Sequence, residues 1–167
     1  MTKIVLYEER VSSTKTQVLF WGLTAFFSML LAWRISSHHM DPLAAVLLLL
    51  ALLFLFYSLN YRLLVIRITS QGLRLQFGIF TWTIPPDNIA GLALDDNLPP
   101  LAKYVGAGIH FMMFRGRYRA SFNFLEFPRV VVALKRSCVV RDLSFSTNHP
   151  SEVIQHIRDM TSAYGGA

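Results

Sequence analysis

Alternating arginines are the feature of the chain best suited to binding chemistry. Arg115, Arg117 and Arg119 are two residues apart, and side chains alternate between the two faces of a strand, so all three share one face at intervals of about 7 Å. Guanidinium groups at this spacing suit lipid phosphates or an acidic protein surface, and Arg129 is a further candidate for the same binding surface. The alternative interpretation is a solvated hairpin turn at Gly116 with its arginines splayed apart.

Catalytic chemistry has little support in the sequence. The one close pair of acidic residues after residue 62 is Asp95 and Asp96, in turn-like sequence. The glycines at Gly106 and Gly108 lack both the third glycine and the following Lys-Ser/Thr of a phosphate-binding loop, and no Ser-His-Asp or His-Glu-x-x-His order occurs. We therefore predict a non-enzymatic protein that needs no cofactor.

Metal and redox sites are not expected either. His38 and His39 are adjacent in a short loop with no cluster of carboxylates beside them, which is not the spacing of a metal site. Cys138 is the single cysteine, so a disulfide within the chain and a cysteine-based metal centre are excluded. We interpret Cys138 as a small strand residue.

Two apolar runs near the N-terminus predict that the chain is anchored in a membrane. Residues 18–33 and 43–59 contain no charged side chain, and as helices each is about 25 Å long, close to the ~30 Å hydrocarbon core of a bilayer. Gly22, Ala25 and Ser28 recur at three-residue spacing and are candidates for packing against another transmembrane helix. A cleaved signal peptide and a buried hairpin in a soluble protein are the alternatives. No Ala-x-Ala pattern follows the first run, and the second is apolar on every face.

The distribution of positive charge predicts the orientation of this hairpin. Basic residues flank its two outer ends: Lys3, Arg10, Lys15, Arg62, Arg67 and Arg74. The connector RISSHHMDP holds one arginine and one aspartate, so both termini are expected in the cytoplasm, with the chain in the inner (plasma) membrane. A net charge of +6 and an isoelectric point near 9.8 fit a domain that faces anionic lipid, although solvated surface charge explains them equally well.

The sequence divides into residues 1–15, a cytoplasmic N-terminal segment; 16–61, the hairpin; and 62–167, a β-rich domain. About seven strands are predicted in the domain, at residues 63–69, 73–84, 89–94, 109–114, 118–124, 129–134 and 138–145. Pro150 begins an amphipathic helix. Residues 3–11 alternate imperfectly and are predicted either to add a strand to the sheet or to dock onto a partner.

Two stretches of the domain resemble the bacterial pleckstrin-homology-like (PH-like) domains of small membrane proteins. RITSQGLRLQFGIFTWTIPPDNIAGLAL is similar to their opening strands, and GAGIHFMMFRGRYRASFNFLEFPRVVVALKR to their later strands. The positions that carry the resemblance are Thr69, Gly72, Phe77, Gly78, Ile84, Pro85, Ile89, Gly106, Gly108, Ile109, Gly116 and 130–134. LSFSTNHPSEVIQHI resembles the last strand and helix, with His149 where that group often has an acidic cap.

The resemblance implies an α+β membrane protein in which a PH-like antiparallel β sandwich or partly open barrel is capped by a C-terminal helix. It implies a binding or scaffold module that engages protein partners. An accessory or assembly subunit of a larger membrane complex and a sensor of anionic lipid are the alternatives, and no nucleic acid is expected as a partner.

Overall fold

The computed structural model describes residues 5–37, 41–95, 107–114, 116–124, 126–136 and 139–165. The helices are α1 (Thr14–Ser37), α2 (Pro42–Asn60) and α3 (Pro150–Gly165), with one 3-10 turn at Pro86–Asn88. The strands are β1 (Val5–Val11), β2 (Leu64–Thr69), β3 (Gly72–Phe77), β4 (Phe80–Ile84), β5 (Ile89–Leu94), β6 (Gly108–Phe114), β7 (Arg117–Asn123), β8 (Arg129–Leu134) and β9 (Val140–Ser146).

Helices α1 and α2 form the hairpin, and both are long and apolar enough to cross a membrane. Their mean hydropathies are 1.6 and 2.5, and their lengths are about 36 and 29 Å at 1.5 Å per residue. Each begins at a side-chain cap, since Ser13 Oγ accepts the N–H of Thr16 and Asp41 Oδ1 accepts the N–H of Ala44. Pro42 occupies the first turn of α2, where its missing N–H costs nothing.

The two helices pack through small, polar and aromatic side chains. Thr24 and Ser58 meet in the buried interface with their hydroxyl oxygens 3.3 Å apart. The rings of Phe27 and Phe54 stack at a centroid distance of 5.4 Å. Most other large side chains of the hairpin point outward and are exposed, so the outer surface of the pair is apolar.

Strands β1 to β4 form an antiparallel sheet in sequence order. The predicted turn at Ser70 and Gln71 is present, because Thr69 pairs with Gly72 across it. The prediction of one continuous strand over residues 73–84 is wrong: Gly78 adopts a left-handed φ of 56° and the chain reverses there between β3 and β4. Pro85 ends β4, as the sequence predicts.

Strands β5 to β9 form a second sheet in the order β5-β8-β9-β7-β6. Strands β7 and β9 are parallel, so the expectation of an all-antiparallel domain is wrong at this pair. The β8–β9 pair lies between β5 and β7, and this insertion brings β9 beside a strand that runs in the same direction. With β1 included, the described ranges contain nine strands rather than about seven.

One apolar core joins the sheets and the last helix. Phe77 of β3 and Phe124, directly after β7, lie 5.1 Å apart between ring centroids, so the two sheets face each other. Helix α3 begins at the predicted Pro150 and buries Val153, Ile157 and Met160 in the same core. The structure is therefore an α+β fold of two apolar helices, two sheets and a C-terminal helix.

Candidate functional site

The hairpin is inserted between two neighbouring strands of the first sheet. Strand β1 precedes α1, β2 follows α2, and the two strands pair along their length with Val11 opposite Leu64. Both ends of the hairpin therefore meet at the same end of the sheet. If the hairpin crosses a membrane, β1 and the domain must lie on the same side of it.

The junction between hairpin and domain is closely packed. Asn60, the last residue of α2, accepts the N–H of Ile79 through Oδ1 at 3.2 Å. Tyr61 lies edge-on to Phe77 with ring centroids 5.0 Å apart, and a Cβ on Gly108 would come within 2.5 Å of the Tyr61 ring. These contacts fix the domain relative to the helices.

The two ends of the hairpin differ in charge. At the far end Arg34 is paired with Asp41, so the charge of the arginine is locally neutralised. At the domain end Lys15 and Arg62 are exposed. Within the described part of the chain, one salt bridge joins α1 to the domain, from Lys15 Nζ to Glu126 Oε2 at 3.5 Å. His38 and His39 lie outside the described residues.

The small residues predicted to pack against another helix lie on the outward side of α1. Gly22, Ala25 and Ser28 are exposed, whereas Phe20 and Thr24 face α2 and are buried. A Cβ placed on Gly22 would meet no atom within 4 Å. This strip is therefore open to a neighbouring helix.

The four candidate arginines are not equivalent. Arg115 lies outside the described residues, and Arg117 is exposed on β7. Arg119 shares the face of Arg117 but is only 6% exposed, and Arg129 on β8 is 7% exposed. Burial removes Arg119 and Arg129 from the accessible surface, so the exposed arginine face predicted from the alternation reduces, within the described residues, to Arg117.

Arg119 is instead the centre of a buried ion cluster. Its Nη1 lies 2.9 Å from Asp95 Oδ2 and its Nη2 lies 3.9 Å from Asp142 Oδ2. Burial lowers the pKa of Arg129, an effect that Asp95 opposes and the positive charge of Arg119 reinforces. Among the described residues the cluster places two arginines beside two aspartates, and pairing of opposite charges is how ionic groups are tolerated away from water.

A neutral polar region lies on the same face of the second sheet. His110 and Ser121 are opposite each other in the β6–β7 register, and Ser144 Oγ lies 3.4 Å from Asn123 Oδ1. Burial lowers the pKa of His110, and the positive charge of Arg129 lowers it further, so the imidazole is neutral at pH 7. Ser121 is fully buried. The Ser121 hydroxyl and both ring nitrogens of His110 are buried, so substrate does not reach them in this arrangement, and we assign the pair no catalytic role.

An exposed apolar patch on the second sheet was not predicted from the sequence. We call it the β6 patch, and it consists of Phe111, Met113 and Tyr118. Among the described strands β6 is the last in its sheet, and Phe111 and Met113 are 64% and 63% exposed. Tyr118 of β7 is directly opposite Met113 and is 47% exposed. The period-two spacing of Phe111 and Met113 was a usable signal, but periodicity does not distinguish an apolar face in the core from one at the surface.

No group of three or more histidine, cysteine, aspartate or glutamate side chains suited to a metal ion occurs among the described residues. Comparison of the chain with protein-family models, with curated proteins and with solved structures gave no match in any of the three. The resemblance to PH-like domains is therefore still a prediction made from the residues that carry it.

Proposed function

We propose that this chain is a non-enzymatic protein of the inner membrane whose β domain, PH-like in character, holds a protein partner at the cytoplasmic face. The observation that carries the proposal is the β6 patch, on a domain fixed to an apolar hairpin. Large exposed apolar side chains that lie together are typical of protein-binding surfaces. Edge strands such as β6 also offer backbone groups to a strand of a partner.

The membrane anchor and its orientation rest on the hairpin. Its outward side chains are apolar along both helices, including Phe26 in α1 and Leu52 in α2. Basic residues near a span favour the cytoplasmic side. Lys15 and Arg62 therefore support a cytoplasmic domain, and the pairing of Arg34 with Asp41 weakens the opposing charge at the far end.

A second candidate function is that of an accessory or assembly subunit in a larger membrane complex. The open strip of Gly22, Ala25 and Ser28 favours it, because small residues let the backbones of two transmembrane helices approach. A sensor of anionic lipid is less favoured than either, since Arg119 and Arg129 are buried.

The test is to extract the native protein in a mild detergent and to measure the mass and composition of the complex that contains it. We expect a protein partner at fixed stoichiometry, lost on joint Phe111→Ser and Met113→Ser substitution. Tyr164→Ser is the matched control, because Tyr164 is an exposed apolar side chain on α3. Its partner content should equal that of the wild type.

Three outcomes separate the candidates. If the double variant loses the partner while the Tyr164→Ser and Gly22→Leu variants keep it, the result supports binding through the β6 patch. A partner retained by the double variant but lost on Gly22→Leu favours the accessory subunit held through α1. A chain that purifies alone contradicts both candidate functions.

The orientation has a separate test. If protease outside intact cells reaches a tag on the C-terminus, the cytoplasmic orientation is contradicted.

A further inference from the structure

The turn between β3 and β4 carries an apolar tip that neither sheet buries. We call residues 78–80 the Ile79 turn. Ile79 is 72% exposed and Phe80 is 40% exposed, although the strands on either side contribute Phe77 and Ile84 to the core. Exposure of a large aliphatic side chain to water at the tip of a tight turn is unfavourable.

This turn lies beside the end of α2 rather than beyond it. Phe80 contacts Phe56 of α2 edge-on, with ring centroids 6.4 Å apart. Phe56 precedes the end of the helix at Asn60 by four residues, or about 6 Å along the axis. The Ile79 turn therefore overlaps the last turn of the second apolar helix.

The position of the turn is fixed by contacts of its backbone with Asn60. The N–H of Ile79 donates to Asn60 Oδ1, and a Cβ on Gly78 would lie 2.6 Å from the Asn60 carbonyl oxygen. Only a residue without a side chain fits there at a φ of 56°. The Ile79 side chain takes no part in these contacts and is directed by them.

We infer that the Ile79 turn inserts into the boundary between headgroups and acyl chains of the bilayer that α2 crosses, as a third membrane contact of the chain. The occupant is lipid because the exposed tip is continuous, through the contact of Phe80 with Phe56, with the apolar outer surface of α2. Interfacial segments bury their apolar side chains about 5–10 Å into this boundary, a depth that the one-turn overlap matches. The inference rests on the proposed membrane anchor.

Variants with a single cysteine, each labelled with a fluorescent dye, test the inference. Cys138 is the one cysteine of the chain, so Cys138→Ser gives a background for Ile79→Cys, labelled with an environment-sensitive dye. Leu52→Cys, on the outside of α2, reports insertion of the hairpin, and Gln71→Cys, in the exposed turn at the other end of the sheet, reports water. Each protein is placed in phosphatidylcholine–phosphatidylglycerol vesicles with and without spin-labelled lipid.

We expect the spin label to quench the dye at position 79 nearly as strongly as at position 52, and several times more than at position 71. Quenching at 52 with none at 79 overturns the inference and leaves the anchor intact. Absence of quenching at 52 overturns both. Because Ile79 is largely exposed and only its backbone bonds to Asn60, the substitution leaves the fold in place, which the melting temperature in detergent checks.

Discussion

The Glu9 carboxylate of β1 accepts the backbone N–H of Asn148, 139 residues later, at 2.7 Å. Its other oxygen accepts the Thr147 hydroxyl and, at 3.1 Å, the Tyr7 hydroxyl. Burial and the nearby Glu9 charge raise the pKa of Tyr7, so the phenol stays protonated and continues to donate. One buried carboxylate therefore ties the first strand to the segment that leads into α3.

Glu9→Ala should loosen β1. The substitution leaves the hydroxyls of Thr147 and Tyr7 and the N–H of Asn148 without their acceptor, which costs about 1–3 kcal/mol in the free energy of unfolding. The measurement is the rate of limited proteolysis before residue 14, together with the melting temperature in detergent. Glu8→Ala is the control, because Glu8 pairs with Arg67 in solvent. Equal cleavage in the two variants would contradict the role of Glu9.

Arg119→Leu should destabilise the domain strongly. It removes a cation paired with the buried carboxylates of Asp95 and Asp142, and breaking a buried ion pair costs about 3–5 kcal/mol in the free energy of unfolding. The matched control is Arg117→Leu, two residues earlier on the same face but exposed, which should change stability by less than about 0.5 kcal/mol. Denaturant unfolding measures both. A similar loss in the two variants would show that Arg119 is not the buried partner.

Acid should destabilise the protein in part through His110. Burial, and then Arg129, lower the pKa of His110 in the folded state, so below the ordinary pKa of about 6.5 the unfolded chain binds the proton more readily. The contribution of His110 to stability is thus complete above about pH 6.5 and is lost as the pH falls toward the lowered value. His110→Gln should flatten the fall in melting temperature between about pH 7.5 and 5. An unchanged slope in the His110→Gln variant would rule out the effect.

Replacing Gly78 or Gly116 by alanine should separate the cost of backbone strain from the cost of a steric collision. Gly78 and Gly116 have φ values of 56° and 74°, and alanine costs about 1–2 kcal/mol at either for that reason alone. At Gly78 the new Cβ also meets the Asn60 backbone, whereas at Gly116 nothing lies within 4 Å. Gly78→Ala should therefore lower the melting temperature clearly more than Gly116→Ala. Equal losses would mean that the β3–β4 turn is not held against α2.

Features encoded by neighbouring residues were predictable from the sequence. The turn at Ser70 and Gln71, the interruption at Pro85 and the helix from Pro150 all follow from local backbone chemistry, and the structure contains each of them. The apolar helices follow from composition alone. The strand formed by the N-terminal segment was one of two alternatives, and the pairing of β1 with β2 is the one present.

Features that depend on distant partners were not predictable. The alternation of Arg117 and Arg119 placed them on one face, but which of them is buried depends on Asp95, 24 residues before Arg119, and on Asp142. A period of two also carries no information on whether neighbouring strands run parallel, as β7 and β9 do. The β6 patch was missed for a related reason, since burial is decided by the order of strands in the sheet.

The insertion of the hairpin between β1 and β2 sets an order of events during synthesis. Strand β1 leaves the ribosome before both apolar helices, yet β2, its neighbour among the described strands, follows them in the chain. Strand β1 therefore cannot pair with β2 until the second helix has emerged and β2 has folded back beside it. The first sheet can therefore be completed only after the hairpin has formed. A chain in which the hairpin does not form leaves the edge of β1 unpaired and exposed.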